Sequence, residues 1–219
     1  MISKITLNNT LPQVFVGSEN EPPVKDSQVW LQNLEFSTPN YCLIEAESGT
    51  GKSSLCSFLY GKRNDYTGDI LFDGENIRNF SIKHWCELRT HSLALLPQDM
   101  CLFPELTALE NVMIKNRLTD FKTEAEIVNM FESLEISGKL AQPVAKLSIG
   151  QQQRVAIIRA LCQPFDFLIL DEPVSHLDGR NNDLVSTLIS TEAKKQNAGI
   201  IATSVGNKIN IPYLTQINL

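Results

Sequence analysis

The sequence contains no apolar run near the ~18–20 residues that a membrane-spanning helix needs. The nearest stretches, Leu93–Pro97 and Phe165–Leu170, have the length of strands. The N-terminus, Met1-Ile-Ser-Lys-Ile-Thr-Leu-Asn8, carries no apolar signal core and no small-residue cleavage site. No Cys-x-x-Cys pair occurs, and the five cysteines (Cys42, Cys56, Cys86, Cys101, Cys162) are an odd number. That argues against a disulfide framework or a zinc site and predicts a protein of the reducing cytoplasm. No basic run is present, and 19 Lys and Arg against 25 Asp and Glu leave a net charge of −6. Such a chain is poorly suited to wrapping nucleic acid or lying on an anionic membrane. No internal repeat or low-complexity block is visible. What the sequence does have, in 219 residues, is 42% hydrophobic and 20% charged content. It can bury a sizeable core as one domain over residues 1–219.

Segment by segment, the polar, proline-containing stretch Gly17–Asp26 predicts an exposed loop between strand-like pieces. Val29–Phe36 and Tyr41–Ala46 predict strands, and Lys52–Leu59 a helix. Gly68–Phe72 predicts a strand closed by the Asp73-Gly74 turn, and Ser92–Leu96 another strand. From Leu106 to Leu140 the spacing becomes helical, with Ile127, Met130, Phe131 and Leu134 on one face. Ser148–Cys162 and Gly179–Gln196 predict helices; Phe167–Leu170 and Gly199–Thr203 predict buried strands. Strands alternating with helices predict an α/β fold with a mainly parallel sheet and a helical block inserted over about residues 99–163.

The string Ala46-Glu47-Ser48-Gly49-Thr50-Gly51-Lys52-Ser53-Ser54 follows a strand and opens a helix. Its glycines let successive backbone N–H groups converge on an anion, at a helix N-terminus whose dipole favours phosphate. Lys52 is placed to reach β- and γ-phosphates, and the Ser53 hydroxyl to ligate magnesium. The bland alternative is a Gly/Ser turn carrying a surface lysine. A second string, Phe167-Leu-Ile-Leu-Asp171-Glu172-Pro173, delivers two carboxylates to the end of an apolar strand, where open α/β folds bind ligands. Asp171 would hold a magnesium shell and Glu172 would deprotonate an attacking water; taken alone, the pair could equally cap a helix.

Between these lies Leu147-Ser148-Ile149-Gly150-Gln151-Gln152-Gln153-Arg154. Here the chain resembles the ATP-binding subunits of ABC transporters, with Ile149 where the family's signature motif usually has Gly. Without the resemblance Ser148 would read as a plain helix cap. With it, Ser148, Gly150 and Gln151 face the phosphate of ATP held by another subunit. Gln98 matches the family's loop glutamine at the magnesium site, and Ser175-His-Leu-Asp178 its dimer-interface loop. Phe103-Pro-Glu-Leu-Thr is similar to the segment that lies near the membrane partner. The resemblance spans Val29 to Ser204 and implies a P-loop NTPase core, an N-terminal antiparallel β subdomain and an inserted helical subdomain.

The resemblance further implies ATP and Mg2+ as cofactors. It implies a homodimer, or a heterodimer with a second ATP-binding subunit, and a separate integral membrane permease that holds the chain on the inner face of the cell membrane. It looks closest to the compact lipoprotein-release, macrolide-export and cell-division types. Metal ligands would be Ser53, Gln98 and Asp171. Catalytic groups would be Glu172, Gln98, Lys52 and, at the position of the family's switch histidine, Ser204, which predicts slow hydrolysis. His176, in the interface loop, reads as a packed or solvated imidazole. Phe15 is the candidate for stacking on adenine, unless it simply packs; Trp30 reads as core. The alternative function is a regulatory module that binds nucleotide and moves no substrate. A DNA-repair ATPase is disfavoured by the acidic charge and the lack of a long coiled coil.

Overall fold

The computed structural model describes residues 1–213 and 215–219. Its two sheets differ in how they are wired. In the smaller, β1 (Lys4–Pro12) pairs antiparallel with β2 (Asn33–Ser37) on one side and β4 (Tyr66–Phe72) on the other. β4 folds back onto the short β5 (Glu75–Asn76) through the Asp73-Gly74 turn. Alternation along β1 sends Ile5 and Leu7 inward, both fully buried.

The larger sheet is parallel throughout, in the order β6-β7-β8-β3-β9. Its strands are β6 (Leu93–Leu96), β7 (Phe167–Asp171), β8 (Gly199–Ser204), β3 (Tyr41–Glu45) and β9 (Thr215–Asn218). Every residue of β7 and β8 is buried, as strands covered on both faces require. The pleat divides them between two cores. Leu43, Leu168, Leu170 and Ile200 point to the side of the helical block, and Ile44, Phe167, Ile169 and Ile201 to the side of the antiparallel sheet.

Among the described residues, six α-helices flank this sheet. α1 (Lys52–Leu59) and α2 (Ile82–His91) lie with the antiparallel sheet, and Ser81 caps α2 by accepting from the His84 N–H at 3.2 Å. α3 (Ala108–Asn116), α4 (Glu124–Ser133) and α5 (Ile149–Leu161) all open with capping boxes: Thr107 with Glu110, Thr123 with Glu126, and Ser148 with Gln151. α6 (Gly179–Gln196) starts at the Asp178 cap. The apolar faces of α3, α4 and α5 join the same core as one face of the parallel sheet, so residues 99–163 do not enclose a core of their own. Lys122 and Glu192, both almost fully buried, pair at 2.6 Å and tie the start of α4 to α6.

The sequence-based elements differ from the fold at three places. Val29–Phe36 is not one strand: pairing begins at Asn33, because the Ser27 hydroxyl takes the N–H groups of Val29 and Trp30 at 3.0 and 2.8 Å and curls the chain into turns. α2 escaped notice because Leu88 alone in it is buried and Ile82 is exposed, which leaves no apolar stripe. β9 is four residues long with no buried residue to mark it.

Candidate functional site

Parallel strands bring their C-terminal ends to one edge of the sheet, and the candidate residues gather there. Beyond β3 the chain forms the loop of residues 46–51, tied to β8 where the Ala46 N–H donates to the Ser204 carbonyl at 3.1 Å. Gly49 and Gly51 have φ of +86° and +103°, which a side chain would strain. Gly51 also lies against two rings: a Cβ there would stand 2.9 Å from Trp30 Cζ2 and 3.2 Å from Phe15 Cε2. Trp30 Nε1 donates to the Thr50 carbonyl at 2.9 Å, and Thr50 Oγ1 to the Glu47 carbonyl at 3.0 Å. The loop is therefore braced from inside by a core tryptophan. Among the described residues no acceptor takes the N–H groups of Ser48, Gly49, Thr50 or Gly51.

Lys52 opens α1. Its ammonium is buried, donating to the Glu47 carbonyl at 2.6 Å and the Ala46 carbonyl at 3.4 Å, with Glu172 Oε1 at 3.9 Å. Burial pulls its pKa below the usual lysine value, and Glu172 and Asp171 oppose that pull. Ser53 Oγ donates to Gln98 Oε1 at 3.4 Å across the loop. Together with Ser48, Ser54 and Glu172 these groups line a cavity of about 250 Å³. It is a cationic, donor-rich hollow at a helix N-terminus, with one carboxylate on its rim. That is a chemistry for holding an anion chain and attacking it.

The two carboxylates are held differently. Asp171 ends β7, and its Oδ1 accepts from the Thr203 hydroxyl at 2.9 Å. That same hydroxyl accepts the Glu172 N–H at 3.2 Å. Glu172 adopts φ of +51°, a left-handed conformation unusual for this residue type and worth ~1–3 kcal/mol of strain. Its backbone is pinned on the other side too, where its carbonyl accepts from Gln153 Nε2 at 3.3 Å. Gln153 further takes the His176 N–H at 3.1 Å and reaches Ser175 Oγ at 3.4 Å, so one buried amide fastens α5 to the loop after the carboxylates. Trp30 was expected as core, but its hold on Thr50 was not foreseen, nor were Thr203 and Gln153. The signal for Gln153 was present: it is a polar residue on the buried stripe of Ala156, Ile157 and Ala160.

The remaining candidates stand apart from the cavity. In the α5 capping box the Ser148 N–H donates to Gln151 Oε1 at 3.1 Å, and Ser148 Oγ accepts the Gln151 N–H at 3.4 Å. Ile149 is exposed, and a Cβ on Gly150 would stand 3.1 Å from the His176 carbonyl, so the start of α5 packs on the loop of residues 175–178. Asp178 accepts the Asn181 N–H at 2.9 Å, a bond that holds its carboxyl below the usual range. His176 Nδ1 lies 2.9 Å from Ser175 Oγ. Phe15 is half-buried at the end of the turn Gln13–Phe15, its ring edge at Gly51. Ser204, expected to face the cavity, is 2% exposed and donates its hydroxyl to the Asn207 carbonyl at 2.8 Å. Asn207 in turn donates to the Val174 carbonyl at 2.8 Å, so the segment after β8 is stitched to the loop after the carboxylates.

The sequence profile of the ABC transporter family matches residues 32–175. The chain is 34% identical over 165 residues to the lipoprotein-releasing system ATP-binding protein LolD of Legionella pneumophila (strain Lens), covering 74% of this chain and 73% of that one. In fold it is similar to the dimeric post-hydrolysis state of an ATP-binding cassette bound to ADP and Pi. The TM-score there is 0.76 at 20% identity, over 97% of this chain and 96% of that one. It also matches a bacterial Atm1-family ABC exporter with ATP bound, with a TM-score of 0.72 at 22% identity. That match covers 93% of this chain and 34% of the exporter's length. The profile over two thirds of the chain and the LolD likeness decide the matter: this chain belongs to the ABC transporter family, as an ATP-binding, ATP-hydrolysing subunit.

Proposed function

We propose that the chain binds magnesium-ATP in the hollow of residues 46–54 and hydrolyses it in a site completed by a second cassette. The four N–H groups of Ser48 to Gly51, free of any acceptor among the described residues and beside the Lys52 ammonium, carry this reading. They form a nest for phosphate oxygens. Lys52 would exchange the carbonyls of Ala46 and Glu47 for the β- and γ-phosphates. The oxygens of Ser53 and Gln98, 3.4 Å apart, are hard donors that suit magnesium, and the Asp171 carboxylate at the end of β7 would complete the set. When bound, the ion would neutralise phosphate charge. Glu172 would orient the attacking water and accept its proton. Phe15, beside Gly51, is the surface offered to adenine.

Ser148, Gly150 and Gln151 would act on the partner's nucleotide, and Asp178 at the interface between the two copies. The LolD likeness supports placing the chain among compact subunits that serve a separate membrane permease, at the inner face of the membrane. Among the described residues no helix is long and apolar enough to cross a bilayer. Residues 1–219 would act as one domain, with 99–163 facing the permease. With the Ser204 hydroxyl engaged by the Asn207 carbonyl, turnover would be slow, which supports the second reading, a nucleotide-operated regulator of a membrane protein. Titration of the chain with magnesium-ATP tests the binding site, and substrate transport in vesicles containing the permease separates transporter from regulator.

A further inference from the structure

Beyond the Lys52 ammonium, a second cation, the Arg63 guanidinium, contacts the rim of the hollow through Ser54. We propose that Arg63 is a positioning residue of the nucleotide site, acting through Ser54 to strengthen the hold on a phosphate oxygen; this rests on the reading of the hollow given above. After α1 the chain doubles back along the helix, with the N–H groups of Lys62 and Arg63 both donating to the Ser57 carbonyl, at 2.8 and 3.4 Å. This returns the Arg63 side chain towards the start of α1. Its guanidinium is held on three sides. Nε donates to Asp65 Oδ1 at 2.8 Å and Nη2 bonds Asp65 Oδ2, the planar fork meeting the carboxylate with two bonds. The group also lies 5.4 Å from the centroid of the buried Phe58 ring. That leaves Nη1, which donates to Ser54 Oγ at 2.9 Å.

Ser54 is one helical turn before Phe58 and lines the hollow beside Lys52 and Ser53. A serine hydroxyl has one proton to give and two lone pairs to receive with. Here the oxygen receives from a cation, and among the described residues its own proton is given to no acceptor. A hydroxyl that accepts a charge-assisted bond becomes a better donor, so the arrangement presents a polarised O–H to an anion in the hollow. The ligand chemistry this recognises is a phosphate oxygen of the nucleotide. Asp65 fixes the fork but also offsets part of its charge, and this sets the sign of one control.

Magnesium-ATP affinity, measured by titration of the full chain and of Arg63→Gln, Ser54→Ala, their double variant and Asp65→Asn, tests the assignment, with thermal melts to establish that each variant is folded. Arg63→Gln and Ser54→Ala should each weaken binding about tenfold, the size of one bond to a charged group. The double variant should be little weaker than either single one, because they remove the same contact. Asp65→Asn should leave affinity unchanged or tighten it, since it removes a negative charge while keeping Arg63. An affinity within about twofold of the parent for Arg63→Gln, or fully multiplicative losses in the double variant, would overturn the role of Arg63. So would an Asp65→Asn loss equal to that of Arg63→Gln, which would make the turn and not the charge responsible. A parent chain that binds no magnesium-ATP would refute the hollow itself, a result distinguishable from all of these.

Discussion

The starts of α1 and α5 are both helix N-termini, and they are finished differently. At the start of α1, the N–H groups of Ser48 to Gly51 meet no acceptor among the described residues, the Lys52 ammonium is buried against the Ala46 and Glu47 carbonyls, and Glu172 lies 3.9 Å away. At the start of α5, Ser148 and Gln151 satisfy one another in a capping box and Ile149 is turned to solvent. The first end is a complete cradle lacking an attacker's counter-face; the second is a stable helix terminus with no cradle around it. Each supplies what the other lacks, but within one chain they do not line the same cavity. Gln153 and Asn207 are the physical links between them. Gln153 fastens α5 to the backbone of Glu172, and Asn207 fastens the segment after β8 to the loop that follows the carboxylates. On the reading proposed above, these two unlike half-sites would be completed by pairing with a second cassette.

That contrast can be broken from either side. The largest effect belongs to the cradle: Lys52→Ala should weaken magnesium-ATP binding about a hundredfold or more, because it removes a buried cation from the phosphates, as titration would read. Next, Glu172→Gln should retain binding and slow turnover by about 10²–10⁴, the share usual for a general base, measured as steady-state phosphate release. Cutting the link should cost less: Gln153→Ala frees the strained Glu172 backbone, and we expect about a tenfold fall in turnover with ATP affinity preserved. A proportionate loss of affinity would instead make Gln153 a part of the cradle. The smallest effect is expected at Ser204. Ser204→Ala removes one buried hydrogen bond and should cost about 1 kcal/mol in chemical denaturation, with turnover changed less than about threefold. A tenfold loss of turnover would place that hydroxyl in the reaction.

How much of this could be read from residues alone follows the range of the interactions. Lys52–Leu59 and Gly179–Gln196 were legible as helices at their observed bounds, since caps and apolar spacing are local. The position of Asp171 at the end of a buried strand was legible for the same reason. Thr203 is legible only as part of a strand, because its hydroxyl serves Asp171 and Glu172 across 32 and 31 residues of sequence. The left-handed backbone of Glu172 has no sequence signature; it is imposed by Thr203 on one side and Gln153 on the other. Ser204 was legible as a departure from the family but not in its consequence. The partner of its hydroxyl is the Asn207 carbonyl, a backbone group that only the fold of the turn brings within reach.

On the proposed reading, the α5 end of one copy completes the α1 end of another. Sedimentation of Glu172→Gln in magnesium-ATP, with and without Ser148→Arg, measures it directly. Glu172→Gln should double its mass when ATP is added, and the added Ser148→Arg should leave ATP affinity intact while keeping the chain a monomer. Doubling that survives Ser148→Arg unchanged would contradict it.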